Sequence, residues 1–216
     1  MPLAAAQQKR IRQAALDGAR WFVNSQVRMA KPHWDANHGR FIYTMHLRER
    51  RPVLGLNWTQ ARGIFCLLSA WELTRETAFL ESAVRAANYI RILQVYDDAR
   101  NPLRQFAFRE QVPQSWEAAP RDASEACLGL LFMYRATREP EYLRRAADYE
   151  RWWQRTVKKP NGWPHNFIFF DGRKHDTSER SFQAGSAPIF YYLWKATGAA
   201  RYRRELLRMA DGTGGT

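Results

Sequence analysis

Three stretches of the chain decide its fold: LLSAWELTRETAFL at 67–80, LLFMYRATREPEYL at 130–143 and FYYLWKATGAARYR at 190–203. They align as copies of one unit that recurs after about 60 residues. In each copy a threonine is followed by an aromatic ring, as in Thr74 and Phe79, Thr137 and Tyr142, Thr197 and Tyr202. A recurring unit of this length indicates a repeat architecture in which neighbouring units stack.

Each unit contains two helical patterns of different character. The first is apolar nearly all round, as at 64–68, 127–132 and 189–194, which predicts an inner helix buried on several sides. The second carries one apolar stripe, which predicts a half-exposed outer helix. The amphipathic segment 11–22 predicts one more outer helix, so seven helices are expected to alternate between outer and inner.

The connections between units are much longer than the turns within them. The long loops cover about 27–57, 97–121 and 158–180, and in stacked hairpins they must emerge at one end. We expect the functional site there, above the N-termini of the inner helices, where free N–H groups favour anionic ligands. A short strand is expected within 40–47 of the first loop.

Composition indicates a folded, soluble protein. The 216 residues are 45% hydrophobic, and we expect one domain over 1–211 with a disordered tail at 212–216. No apolar run predicts a membrane span, and the N-terminus lacks the order of a secretory signal. A cytoplasmic protein is therefore expected, or a secreted one whose signal has been removed. Cys66 and Cys127 lie in apolar helical stretches, which favours buried, reduced thiols.

The formal net charge of +13 could indicate nucleic acid, an anionic surface or an acidic polymer as a partner. Much of the excess lies late in the chain, at arginines such as Arg144, Arg145 and Arg151, interleaved with apolar residues at helical spacing. This spacing favours a solvated outer face over a polyanion-binding surface. Nucleic acid is thus possible as a partner but not favoured.

The second repeat resembles a known family. The stretch from Arg121 to Leu131, followed by Ala136 to Ala146, is similar to the inner–outer hairpin of unsaturated uronyl hydrolases, in which Asp-x-Ser-x-Ala opens an inner helix. The resemblance implies an all-α fold of helical hairpins, an α/α toroid of the six-hairpin glycosidase type, related to polysaccharide lyases and sugar epimerases. It also implies activity on carbohydrate.

The chain departs from that family in two respects. A complete six-hairpin toroid has twelve helices, whereas about seven are expected here, so the toroid is truncated, shorter, or a half that closes by self-association. An open edge would expose apolar flanks of inner helices, which predicts a homodimer. Outside the Asp122 stretch, the catalytic carboxylate loops of uronyl hydrolases have no counterpart.

Two carboxylates open the second inner helix, Asp122 and Glu125, three residues apart. One interpretation is structural, with Asp122 as the N-cap and Glu125 as its capping-box partner. The other is functional, with Asp122 as an acid and Glu125 as a sugar anchor at the rim of a central cavity. Glu117 in the second loop is a further catalytic candidate.

The first and third loops combine aromatic, imidazole and polar side chains. In His33-Trp34-Asp35-Ala36-Asn37-His38 the spacing matches no strong metal signature, and Trp34 either stacks on a sugar or folds the loop down. The third loop offers His165 and His175 as bases, with Trp163 and Asn166 for sugar binding.

Further polar and aromatic residues begin the first and third inner helices: Trp58, Gln60, Arg62 and Gln183. Arg62 could bind a sugar carboxylate, or else form a salt bridge to a carboxylate of a neighbouring loop.

Together these features predict a glycoside hydrolase or lyase for a possibly acidic oligosaccharide, without metal or cofactor, using Asp122, Glu117, His165 and His175. The alternatives are a non-catalytic helical-repeat module for nucleic acid or an acidic partner, and a remnant of a longer toroid enzyme.

Overall fold

The computed structural model describes residues 4–29, 37–96, 101–175 and 185–210. Within these ranges it has seven α-helices: α1 Ala5–Ser25, α2 Asn57–Thr74, α3 Thr77–Leu93, α4 Pro120–Thr137, α5 Pro140–Trp152, α6 Ala187–Thr197 and α7 Ala200–Ala210. A π-helical turn, Trp153–Val157, extends α5. The expected alternation of outer and inner helices is confirmed. The tail at 212–216 lies outside the described residues.

The turn from each inner helix to its outer helix is built in the same way. The residue after the inner helix adopts the left-handed conformation, with φ of 63° at Arg75, 62° at Arg138 and 71° at Gly198. The preceding threonine hydroxyl donates to the carbonyl four residues earlier and accepts the N–H two residues later. The repeated threonine therefore holds the turn, which explains its recurrence.

The repeated aromatic ring fastens each outer helix to its inner helix. Phe79, Tyr142 and Tyr202 are all buried and belong to one hydrophobic core. The largest buried side chains, Trp152 and Trp153, lie where α5 passes into its π-helical turn.

The inner helices α2, α4 and α6 form a row, with α4 in the middle. Helices α2 and α4 approach closely at Gly129, where a Cβ atom would lie 3.1 Å from the Cα of Ala61. The outer helices α3, α5 and α7 pack behind their inner partners, and α1 packs on α2 and α3. The three described hairpins thus form one arc of helical pairs.

The long loops contain short strands. Strand β1 Ile42–His46 confirms the strand expected at 40–47, and it pairs antiparallel with β2 Arg51–Leu54. A three-stranded antiparallel ribbon, β3 Glu117–Ala118, β4 Phe167–Phe169 and β5 Lys174–His175, joins the second and third loops. The sequence analysis did not predict this ribbon. Asn57 N donates to Glu110 O (3.1 Å), which holds the second loop beside the start of α2, so the long loops share one face as predicted.

Both cysteines are free thiols, but only Cys127 is fully buried; Cys66 is half-buried, so the expectation of two buried thiols is wrong for Cys66. None of the helices among the described residues is both long and apolar enough to cross a membrane.

Candidate functional site

A trough of about 400 Å³ runs between the three inner helices. Its wall is a ladder of aromatic rings, one per helix: Phe65 lies 5.3 Å from Phe132, and Phe132 lies 5.1 Å from Tyr192, measured between ring centroids. The trough also contains Leu128 and Pro188. It is therefore a concave, mostly apolar surface of the kind that binds small ligands.

The repeat explains how the trough is built. Most lining residues occupy corresponding positions of the three repeats. One position holds Arg62, Glu125 and Gly185, a second holds Phe65, Leu128 and Pro188, and a third holds Phe132 and Tyr192. Because each helix presents the same face, the trough follows from the stacking of the repeats.

An ion pair spans the trough at its loop end. The Arg62 guanidinium donates to both carboxylate oxygens of Glu125, each at 2.5 Å. The bond to Glu125 raises the pKa of Arg62. Arg62 is therefore in a salt bridge, with a carboxylate of the inner helix α4 and not with a loop carboxylate as expected.

A pair of carboxyl groups lies beside this ion pair. The side chain of Glu110, in the second loop, hydrogen-bonds to Asp122 in the first turn of α4. The Glu110 side chain also contacts the start of the same helix, since Ala119 N donates to its Oε2 (3.2 Å). Helix α4 begins at Pro120 with Ala119 as its N-cap, so the capping-box interpretation of Asp122 and Glu125 is wrong. The Glu110 carboxyl group from the loop accepts the N–H of Ala119 instead.

Burial and mutual repulsion keep a proton on this pair. Burial is the main cause that raises the pKa of Glu110 to about 8, and Asp122 and Glu117 raise it further, against the lowering effect of Ala119 N. Burial also raises the pKa of Asp122, and the charge of Glu125 adds to it. At neutral pH, Glu110 is therefore mostly protonated and donates its hydrogen bond to Asp122.

The backbone around Glu110 is held at three consecutive carbonyls. Asn57 Nδ2 donates to Arg109 O (3.2 Å), Asn57 N to Glu110 O (3.1 Å), and the buried Tyr89 hydroxyl to Gln111 O. Glu110 is thus fixed to the α2–α3 hairpin, while Asp122 belongs to α4. The carboxyl pair joins two repeats.

Two other catalytic candidates lie on the ribbon. Glu117 O accepts from Glu110 N (3.1 Å), so Glu117 borders the carboxyl pair. His175 is exposed on β5, and its ring centroid lies 6.1 Å from that of Phe167. Glu117 pairs with Phe169 and His175 pairs with Phe167, on the two sides of β4. Because residues 167 and 169 share a face of β4, Glu117 and His175 lie on the same face of the ribbon, with β4 between them.

The structure places the remaining predicted residues in different surroundings. Gln60 is fully buried, and its amide accepts from Phe41 N (2.9 Å) and donates to Leu56 O (3.2 Å), so it holds the first loop. Trp58 packs edge-on against Tyr43. Trp163, His165 and Asn166 follow the π-helical turn, to which His165 N donates a hydrogen bond at Val157 O (2.9 Å). Trp34 and Gln183 lie outside the described residues.

Glu110 was missed by sequence reasoning. It follows Arg109 in a loop with no motif and no helical spacing, so its role depends on contacts with residues 53 positions earlier and 12 later, which the sequence does not reveal.

In the described residues, no three His, Cys, Asp or Glu side chains are grouped to hold a metal ion. The arginines considered for polyanion binding are engaged in ion pairs: Arg144 and Arg151 bind Asp148, and Arg145 binds Glu141.

No family model and no curated protein matches the sequence. Solved structures do resemble it. Cellobiose 2-epimerase from Spirochaeta thermophila superposes with a TM-score of 0.71 at 16% identity, over 95% of this chain and 53% of that one. D-mannose isomerase gives 0.62 at 19% identity, over 82% and 50%. An inactive variant of an α-1,6-mannanase of a Salegentibacter species, in complex with α-1,6-mannotetrose, gives 0.61 at 15%, over 72% and 46%.

The chain therefore shares the fold of these structures, an α/α toroid of helical hairpins, and it spans about half their length. At this level of identity the similarity shows the fold alone.

Proposed function

We propose that this chain acts on oligosaccharides and hydrolyses a glycosidic bond at the loop end of the aromatic trough. The observation that carries the proposal is the proton-bearing Glu110–Asp122 pair beside an arginine-paired carboxylate. Glycoside hydrolysis needs one protonated and one ionised carboxyl group.

Glu110 is assigned the role of general acid. Its raised pKa keeps it protonated at neutral pH, so it can deliver a proton to the leaving oxygen. Asp122 orients that proton and is a positioning residue. The rigid backbone around Glu110 supports the assignment, because proton delivery depends on a fixed geometry.

Glu125 is assigned the role of the opposing base, which takes a proton from the water that attacks the anomeric carbon as the bond to the leaving oxygen breaks. The two carboxyl groups that flank a glycosidic bond during its hydrolysis stand roughly 5 to 9 Å apart. The carboxyl groups of Glu110 and Asp122 hydrogen-bond to each other and are therefore closer than that. They cannot be the two opposing groups, so the second group must come from elsewhere. Glu125 lines the trough, and the Arg62 guanidinium donates to both of its side-chain oxygens.

The trough is assigned to sugar binding. Aromatic rings stack on the apolar face of pyranose rings, and the ladder Phe65, Phe132, Tyr192 offers three such surfaces in contact with one another. The mannotetrose complex of the mannanase of the same fold supports an oligosaccharide as ligand.

The test is incubation with neutral and unsaturated uronyl oligosaccharides, followed by chromatography of the products. We expect Glu110→Gln and Glu125→Gln to lower turnover by about 10²- to 10⁴-fold. Glu72→Gln is the matched control, because Glu72 also lies on an inner helix and pairs with an arginine, at the end of α2 away from the loops.

Undiminished turnover in Glu110→Gln, or no turnover of any sugar by the unmodified chain, would contradict the proposal. Unsaturated products would indicate elimination instead, and His165→Ala and His175→Ala would then identify the base.

A further inference from the structure

The indole of Trp116 is the most exposed aromatic ring in the described part of the chain, with 68% of its surface open to solvent. It does not belong to the trough. A single exposed aromatic ring is common on protein surfaces, so its surroundings decide whether it marks a binding site.

The backbone that carries Trp116 is well ordered by hydrogen bonds on both sides. Phe170 N donates to Trp116 O (2.9 Å), and Glu117 pairs with Phe169 in the ribbon. The preceding turn is closed by Ser115, whose Oγ accepts from Val112 N (3.1 Å). The ring is thus presented by a hydrogen-bonded backbone next to β3, which limits the conformational entropy lost when a ligand binds.

A recess of about 230 Å³ adjoins the indole. Its floor is the buried ring of Phe170, the cross-strand neighbour of Trp116, and Arg104 lies with its guanidinium carbon 6.0 Å from the indole centroid. Arg109, Gln114 and Ser115 border the recess. Since a water molecule occupies roughly 30 Å³, the space suits one monosaccharide and is too small for a helix.

The side chains of Trp116 and Glu117 leave the ribbon on opposite faces. Successive residues of a strand point to opposite faces, so Trp116 and Glu117 diverge. Trp116 shares its face with Phe170, whereas Glu117 shares the other with Phe169. The recess shares no lining residue with the trough, so the two are distinct cavities.

We propose that Trp116 and this recess form a second carbohydrate-binding site, in which one sugar ring stacks on the indole while its hydroxyl groups face the polar border. A sugar ring has one apolar face and a polar rim, which matches one aromatic surface flanked by arginine, amide and hydroxyl groups. The inference rests on the proposed function in that it takes carbohydrate to be the ligand.

The test measures binding of α-1,6-mannotetraose and cellotetraose by calorimetry, on the full chain carrying Glu110→Gln so that turnover is slowed. We expect Trp116→Ala to weaken binding of at least one of them by about 3- to 10-fold, and Trp116→Phe to retain most of it. Trp21→Ala is the matched control, because Trp21 is also exposed but lies on α1. The indole N–H signal of Trp116 is identified in NMR spectra by its absence from the Trp116→Ala protein. In the protein that retains Trp116, this signal should shift when the sugar is added.

Equal affinity in the Trp116→Ala and Trp21→Ala proteins would overturn the inference, and so would the absence of binding to either sugar. The proposed function fails by a different result, undiminished turnover in Glu110→Gln, so the two failures can be told apart.

Discussion

At the scale of the residue, Glu110 determines the chemistry of the site. Its side chain accepts a hydrogen bond from Ala119 N at the start of α4, and its backbone carbonyl accepts one from Asn57 N. These contacts bring its carboxyl group against that of Asp122, and burial disfavours a charge on both. The result is a carboxylic acid that keeps its proton at neutral pH.

This shift predicts a pH dependence of stability. Because the pKa of Glu110 is about 8 in the folded protein and near its ordinary value of 4.5 when unfolded, the folded state holds the extra proton between these values. The stability that this protonated carboxyl group contributes to the folded protein is fully present below pH 4.5 and is lost as the pH rises through 8. The raised pKa of Asp122 acts in the same direction.

We expect the free energy of unfolding, measured by urea titration, to fall by roughly 1 to 3 kcal/mol from this cause between pH 5 and pH 8.5. Glu110→Gln should flatten this slope, while Glu72→Gln should not. A slope that is the same in both variants would contradict the assignment of the proton to the pair.

At the scale of the element, the close approach of inner helices depends on small residues. A Cβ atom at Gly129 would lie 3.1 Å from Ala61 Cα and 3.2 Å from Ile90 Cδ1, so α2, α3 and α4 meet there. Gly18 in α1 differs, since nothing lies within 4 Å of its hypothetical Cβ atom.

These two glycines predict opposite effects of the same substitution. Gly129→Ala should destabilise the protein by about 1 to 3 kcal/mol, because the inner helices must move apart. Gly18→Ala should stabilise it by about 0.5 to 1 kcal/mol, because alanine is the better helix former and meets no neighbour. Thermal unfolding checks both, and a stabilised Gly129→Ala protein would disprove the packing argument.

At the scale of the whole molecule, the arc of three described hairpins leaves inner helices partly uncovered. Phe65 on α2 and Tyr191 on α6 are 50% and 41% exposed, although their helices are apolar nearly all round. Apolar surface of this extent on inner helices favours association.

We therefore predict that the chain self-associates through the open side of the inner row. Tyr191→Lys should shift the sedimentation equilibrium towards monomer, whereas Leu47→Lys, at the exposed tip between β1 and β2, should not. A chain that remains monomeric at concentrations of about 100 μM would contradict the prediction, since that corresponds to a binding free energy weaker than roughly 5.5 kcal/mol.

Most of the fold could be predicted from the sequence. Helices, their burial and the position of their turns follow from residue spacing within one unit, and such spacing is local information. The repeated Thr74 position proved to close the inner–outer turn, and the repeated Phe79 position proved to be a buried contact. The short ribbon was not predictable, because its strands are two or three residues long and come from different loops.

The sequence by itself thus determined the helical hairpins, their alternation and the end at which the loops gather. Only the tertiary structure decided that Glu110 meets Asp122, that Arg62 binds Glu125, and that the buried Gln60 of α2 holds the first loop. The reason is physical: a helix is specified by neighbours three and four positions away, whereas a pair of side chains from two repeats depends on how whole elements pack, which no local pattern encodes.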